Sequence, residues 1–205
     1  MSHYFKYDEN LKSNEQEILV KIKNTNLKFI TDNGVFSKKG LDFGTRSLLE
    51  SINIKDIKGE VLDFGCGYGP IGIYIKKTTE AKVTMIDINK RSVLLAKKNA
   101  TLNNVEVEVY ESDGFLNVDK KFDYIISNPP IRIGKSALYN ILYSAKKYLK
   151  KDGKMIIVVN KNQGAKTLIR DLSDEYKIEV INKNKGFYIL ELQMCWLLEN
   201  SLIKL

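Results

Sequence analysis

The sequence predicts an α/β fold: a doubly wound, mostly parallel seven-stranded sheet with helices on both faces, preceded by a β-hairpin. Three observations predict it. Short apolar runs of strand length alternate with helix-length segments from Val61 onward. A glycine-punctuated turn, Gly65-Cys66-Gly67-Tyr68-Gly69-Pro70, separates the first such run from a helix. Polar or glycine residues then recur at the ends of successive runs, at Gly65 to Gly69, Asp87, Asp113 and Asn128. Right-handed crossovers bring those ends to one edge of a parallel sheet, where such folds hold their ligands.

The elements follow in order. Residues 17–31 alternate apolar and polar, with Ile18, Val20 and Ile22 on one side of Asn24-Thr25-Asn26 and Leu27 and Phe29 on the other. That pattern reads as a hairpin with its turn at the three polar residues. Residues 32–44 form a polar, glycine-rich loop carrying Phe36 and Phe43, apolar groups that either pack down or line a pocket. A helix is expected at 45–52. Residues 61–64 form the central strand, and Pro70 suits the first turn of the helix that continues over 71–77. Residues 82–86 form the next strand, ending at Asp87. Asp87 or Asn89 starts a helix over 90–102, striped with Val93, Leu94 and Ala96. Strands are expected at 105–110 and 122–127, then a long helix at 136–150 and a strand at 154–159. A helix at 165–172 and two closing strands, 176–181 and 186–192 across a turn at 182–185, complete the domain. Residues 1–44 are read as an extension packed on a core of residues 45–205, whose tail from Met194 is unusually apolar.

Composition narrows the chemistry. The chain has 205 residues, 43% hydrophobic and 28% charged, as in ordinary globular proteins. Its formal net charge of +8 leans towards an anionic partner such as RNA. His3 is the sole histidine, and Cys66 and Cys195 are the only cysteines. This argues against a structural zinc site and a histidine-based catalytic triad. Two isolated cysteines point to a reduced, cytoplasmic setting. No apolar run is long enough to span a membrane, and the N-terminus does not read as a signal peptide.

Two motifs carry chemistry. The glycines at 65, 67 and 69 turn the chain tightly and let a ligand approach the backbone. The spacing departs from the dinucleotide fingerprint, which would need glycine where Pro70 stands. Asp87 lies 22 residues beyond Gly65, about where an acidic group meets ribose hydroxyls. Asp113 suits a hydrogen bond from an amino group, and Phe115 suits packing on a flat ring. The second motif, Asn128-Pro129-Pro130, follows a strand directly. Its prolines stiffen the loop and remove donors, leaving carbonyls and the Asn128 side chain as acceptors. Rigid acceptors suit an exocyclic amino group and need no strong base.

These residues together resemble a class I S-adenosylmethionine-dependent methyltransferase of the amino-methylating kind, with the Rossmann-like sheet described above. Further stretches, Thr31 to Ser37, Gly40 to Thr45, Asn128 to Arg132, Lys161 to Ala165 and Lys185 to Tyr188, are similar to the small-domain 16S rRNA guanine-N2 methyltransferases. The resemblance spans roughly residues 3–192. Ile131 stands where adenine and glutamine enzymes carry an aromatic residue, and the degenerate second domain of larger members is lacking. The resemblance implies that Asp63, Gly65, Gly67, Gly69, Asp87, Ile88, Asp113 and Gly114 surround S-adenosyl-L-methionine. It further implies that Asn128 and Pro129, with Pro130 and Ile131, hold the target amino group beside the cofactor. Phe36 would close over the site, while Arg132, Lys135, Lys161 and Lys166 flank its mouth, either to meet phosphates or as ordinary solvated side chains. Cys66 reads as a small loop residue rather than a nucleophile. The implied partner is rRNA or the small ribosomal subunit. A protein glutamine or other amine methyltransferase, and a non-catalytic RNA-binding module, are the competing readings.

Overall fold

The structure is a computed structural model that describes residues 11–129 and 134–195. A hairpin of β1 (Gln16–Ile22) and β2 (Thr25–Thr31) precedes α1 (Phe43–Ser51). Then follow β3 (Glu60–Phe64), α2 (Pro70–Thr78), β4 (Lys82–Asp87), α3 (Lys90–Leu102), β5 (Glu108–Glu111) and β6 (Phe122–Ser127). The chain closes with α4 (Lys135–Ala145), β7 (Leu149–Asn160), α5 (Ala165–Asp171), β8 (Tyr176–Asn184) and β9 (Phe187–Met194). The seven strands of the main sheet lie in the order β5-β4-β3-β6-β7-β9-β8. β5, β4, β3, β6 and β7 run parallel, and β9 is antiparallel to both β7 and β8.

The period of two along each strand divides the core between two layers. Val61, Ile156 and Val158 face the layer built from the hairpin, α1, α2 and α3. Leu62, Met155, Ile157 and Val159 face the layer of α4 and α5. Among the described residues, no helix is long and apolar enough to cross a membrane.

Element boundaries differ from expectation where tertiary packing intervenes. The hairpin turn is Lys23-Asn24, because Ile22 pairs directly with Thr25. Residues 105–107 remain outside β5, with Val105 and Val107 packed on the core before pairing begins. The helix expected to reach residue 150 stops at Ala145 and passes through a 3-10 turn, Lys146–Tyr148. Tyr148 is needed flat against Phe115, with ring centroids 4.5 Å apart and planes 8° apart, and Leu149 enters the core as β7 begins. The closing hairpin turns at Lys185-Gly186, since pairing continues to Asn184 opposite Phe187.

β2 has β1 on one side and α3 on the other. Two carboxamides one helical turn apart on α3 stand in for the missing strand. Asn99 Oδ1 accepts from the Ile30 N–H at 2.7 Å, and its Nδ2 donates to the Ile30 carbonyl at 2.9 Å. Asn103 repeats the pattern on Lys28, accepting at 3.1 Å and donating at 2.6 Å. The rise of four helical residues, about 6 Å, matches two residues of strand, about 6.6 Å. A side-chain amide carries the same donor and acceptor as a peptide, so this edge is satisfied and covered. Asn99 Nδ2 also donates to the Tyr68 carbonyl at 2.8 Å, tying the hairpin to the glycine turn.

Asp63, at the end of β3, is fully buried beneath that turn. Its Oδ2 accepts from the Gly72 N–H at 2.8 Å, a free donor in the first turn of α2. Gly72 is required there, because a Cβ would lie 2.3 Å from Met85 Sδ. Burial, opposed by that hydrogen bond and reinforced by the nearby Asp87 charge, pushes the Asp63 carboxyl up to about 7.

Two outcomes are expected. Asn99→Ala leaves several buried backbone groups unpaired, at about 1–3 kcal/mol each before relaxation. A net loss of about 2–4 kcal/mol, lowering the melting midpoint on the order of 5–15 °C, is expected in a thermal scan. Asp63 binds its proton more tightly folded than unfolded. Its contribution to stability is therefore full below about pH 4 and lost as pH rises to about 7. The stability of wild type minus that of Asp63→Asn, from denaturant titrations at several pH values, should fall across that window and then level off.

Candidate active site

The strand order reverses between β3 and β6. From β3 the chain steps outward through β4 to β5, then returns to β6 on the other side of β3. The loops leaving β3 and β6 consequently diverge and open a crevice at their C-terminal ends. A cavity of about 840 Å³ occupies this position, lined by the glycine turn, the ends of β4, β5, β6 and β7, α1, α4 and the loop before α1.

One end of the cavity is built around the turn after β3. Gly65 and Gly67 have φ of +70° and +56°, a left-handed backbone suited to glycine. A Cβ on either would meet nothing within 4 Å, so both present open backbone to the cavity. The Gly65 and Cys66 N–H groups donate to the Ile86 carbonyl, each at 2.9 Å. Asp87 completes the arrangement: Oδ2 accepts from the Gly67 N–H and Oδ1 from the Asn89 N–H, both at 2.8 Å. Burial raises its pKa, opposed by these backbone donors. With the Ile88 N–H as a third backbone donor, the carboxylate still has acceptor capacity for a hydroxyl from the cavity. Ile88, 40% exposed, supplies an apolar side next to Asp87. Asp113 and Gly114 form the wall after β5, where the Ser112 hydroxyl donates to the Gly114 carbonyl at 2.9 Å and shapes the turn.

The other end is built around Asn128, the second residue beyond the last core residue of β6. Its Nδ2 donates to Asp42 Oδ2 at 3.0 Å and to Thr45 Oγ1 at 2.9 Å. A carboxylate only accepts, so the amide nitrogen must face Asp42 and Oδ1 is left as an acceptor. Asp42 is also the N-cap of α1, accepting from the Thr45 N–H at 3.0 Å. One carboxylate thus fixes both the helix start and the Asn128 amide. Pro129 is buried beside Asn128 in the cavity wall. Asn140 and Ile141 of α4, Asn162 and Gln163 after β7, and Phe187 at the start of β9 complete this end. Phe36, 46% exposed, lines the cavity from the loop before α1.

The structure therefore gathers Gly65, Gly67, Asp87, Ile88, Asp113, Gly114, Asn128, Pro129 and Phe36 around one cavity. Pro130, Ile131 and Arg132 lie outside the described residues. Three expected site residues stand elsewhere. Asp63 lies under the turn, holding α2. Gly69 turns away from the cavity: its φ is +95°, and a Cβ there would lie 3.0 Å from Ile73 Cδ1 and 3.4 Å from Ala96 and Met85. Lys135 is bound to Asp171 of α5 at 3.1 Å, with Tyr139 donating to the same carboxylate at 2.8 Å. Tyr139, Arg170 and Lys135 together hold the Asp171 carboxyl down to about 2. Phe115 also departs from expectation, since it packs in the core between Phe64 and Tyr148. Cys66 lines the cavity but its thiol is buried, which pushes its pKa up and leaves no reactive thiolate.

Asp42 and Thr45 are the residues that sequence reasoning missed. They lie in a stretch with Gly40, Leu41 and Gly44, but nothing local shows that it returns to Asn128.

A methyltransferase small domain model matches residues 26–191. The Bacillus subtilis protein YbxB, described as uncharacterized, is 40% identical over 194 residues, covering 92% of this chain and 96% of that one. Ribosomal RNA small subunit methyltransferase C of Haemophilus influenzae is 41% identical over 158 residues, 75% of this chain. The chain spans about half the length of that relative, 48%. Among solved structures, the T. thermophilus 16S rRNA N2 G1207 methyltransferase in complex with AdoMet and guanosine superposes with a TM-score of 0.78 at 22% identity. That match covers 88% of this chain and 51% of the other. A cavity at the switch point, a glycine turn open to it and a matched family model thus agree. The chain belongs to the methyltransferase small domain family, whose members draw their methyl group from S-adenosylmethionine.

Proposed function

We propose that this protein transfers a methyl group from S-adenosylmethionine to an exocyclic amino group, the N2 of a guanine in 16S rRNA. The observation that carries this reading is the Asn128 amide, pinned by Asp42 and Thr45 at 3.0 and 2.9 Å in a wall of the same cavity that the glycine turn opens into. The names of the matching relatives, a ribosomal RNA small subunit methyltransferase and a 16S rRNA N2 methyltransferase, support the choice of substrate.

The residues present fit the cofactor. Gly65 and Gly67 leave room for a ligand against the backbone, Asp87 has acceptor capacity for ribose hydroxyls, and Ile88 offers an apolar face to a flat ring. When bound, the cofactor supplies a methyl group activated by its sulfonium centre. The protein's own work is alignment. Asn128 Oδ1 and the Pro129 carbonyl accept the two hydrogens of the amino group. This turns the nitrogen lone pair out of conjugation and towards the cofactor end of the cavity. Good alignment in a bound pair is worth up to about 7–11 kcal/mol in favourable cases. No general base is required for the attack, because the proton is lost from a nitrogen made acidic by alkylation. Phe36 covers the site from the loop before α1. A guanine within a helix must first be turned out of its stack, or be presented unpaired.

The experiment is methyl transfer from labelled cofactor into 16S rRNA or small subunits, with nucleosides resolved by mass spectrometry. N2-methylguanine is the expected product, and its absence while a protein glutamine substrate is labelled would overturn the reading. Asn128→Ala should reduce turnover by at least about a hundredfold while calorimetric cofactor binding persists. Thr45→Val removes one of the two clamp acceptors without disturbing the helix cap, which uses the Thr45 backbone. It should lower turnover about tenfold, the equivalent of one hydrogen bond, and Thr45→Ser should restore it.

A further inference from the structure

Beside the acceptor end of the main cavity lies a second, smaller concavity of about 260 Å³, lined by Asn160, Lys161, Asn162, Lys185 and Gly186. Asn160 and Asn162 line both cavities, so a group in one is a neighbour of a group in the other. The two segments that form it are joined by the Lys161 N–H, which donates to the Gly186 carbonyl at 2.7 Å. No carboxylate of the described residues lines it. Asn160 Oδ1 is already taken by the Asn162 N–H at 2.9 Å, which leaves the Asn160 amide as a donor. Lys185 Nζ lies 5.3 Å from the centroid of the Phe43 ring, which packs on Phe187 of the main cavity wall. The ring faces hold these ammonium groups without neutralising them. Lys183 stands likewise over Tyr188, at 5.1 Å.

The charge pattern of the sheet makes the site distinctive. At the edge where the parallel strands begin, lysines are paired: Lys82 with Glu60, Lys120 with Glu60 and Glu108, Lys150 with Asp123, and Lys154 with Glu191. At the edge where they end, Lys161, Lys183 and Lys185 have no carboxylate partner among the described residues. An array of ammonium and amide donors with no acid beside it is suited to a phosphate oxygen.

We propose that this concavity holds a phosphodiester of the RNA strand that flanks the target nucleotide. The proposal rests on the reading of RNA as substrate given above. Contacts to the phosphates on either side would fix the strand while the base enters the main cavity, positioning it without reading its sequence.

The test compares wild type with the Lys161→Ala/Lys185→Ala variant for binding a short guanine-containing single-stranded oligoribonucleotide. Fluorescence anisotropy is measured across a range of salt, with Lys82→Ala/Lys120→Ala as a charge-matched control. The Lys161→Ala/Lys185→Ala variant should lose about tenfold in affinity, and its plot of log affinity against log salt should flatten by about 1–2. Calorimetric cofactor binding and the melting midpoint should not change. A slope equal to that of wild type, or a flattening matched by the control, overturns the subsite. So does a loss of affinity confined to an acidic peptide offered in place of RNA. Failure of wild type itself to bind or methylate RNA counts instead against the proposed substrate, and so separates the two claims.

Discussion

The site depends on one constraint of topology. β3 is flanked by β4 on one side and β6 on the other, and the chain leaves β3 and β6 in opposite directions. Pairing of β3 with β6 ends at Asp63 opposite Ile126, so the backbone beyond it needs other partners. Side chains provide them. The Ser127 hydroxyl donates to the Phe64 carbonyl at 2.7 Å, Asp87 accepts from Gly67, and Asp63 accepts from Gly72. All three are polar groups placed at the buried end of a strand, where burial disfavours them unless bonded. Removing any of them would leave the splayed backbone unpaired, and the crevice would lose its rigid floor.

The second constraint concerns Asn128. A free carboxamide can present its oxygen or its nitrogen with little energetic difference, and only the oxygen can hold an amino group by its hydrogens. Asp42 resolves the choice because it cannot donate. Its double use, as helix cap and as clamp, couples the start of α1 to the acceptor end of the cavity. On the proposed reading catalysis relies on orientation more than on titration, and no histidine is among the described residues that line the cavity.

What could be read from the sequence was what is local. Strand, glycine turn and helix are contiguous, and so are β6 and Asn128, so the fold class and the two halves of the cavity followed from patterns of a few residues. Separation along the chain hid the rest. Asp42 meets Asn128 across 86 residues and Thr45 across 83. Nor does a motif say which of its members face the ligand. Gly65 and Gly67 open onto the cavity, while Gly69, equally spaced, faces Ile73, Ala96 and Met85 in a left-handed conformation of φ +95° that favours glycine. Phe115 followed the same logic, since a ring next to a loop can turn either way and this one joined Phe64 and Tyr148. The end of α4 was missed because lysine-rich helix pattern continues through Lys147, whereas the need to bury Leu149 breaks it.

Net charge illustrates the difference between composition and placement. A formal charge of +8 could arise from lysines scattered over any surface and favours anionic partners only weakly. The structure sorts these charges. Acidic residues at the edge where the strands begin neutralise the lysines there, and exposed pairs of that kind add little to stability. Their consequence is electrostatic: they cancel the field at one end of the sheet and leave it at the other. Of the acids that line the cavity, Asp42 and Asp87 are occupied by hydrogen bonds within its wall, and Asp113 lies at the far end, after β5. Lys161, after β7, and Lys183 and Lys185, where β8 turns into β9, are therefore left exposed with no carboxylate partner among the described residues, on the side of the cavity from which, on the proposed reading, an RNA strand approaches.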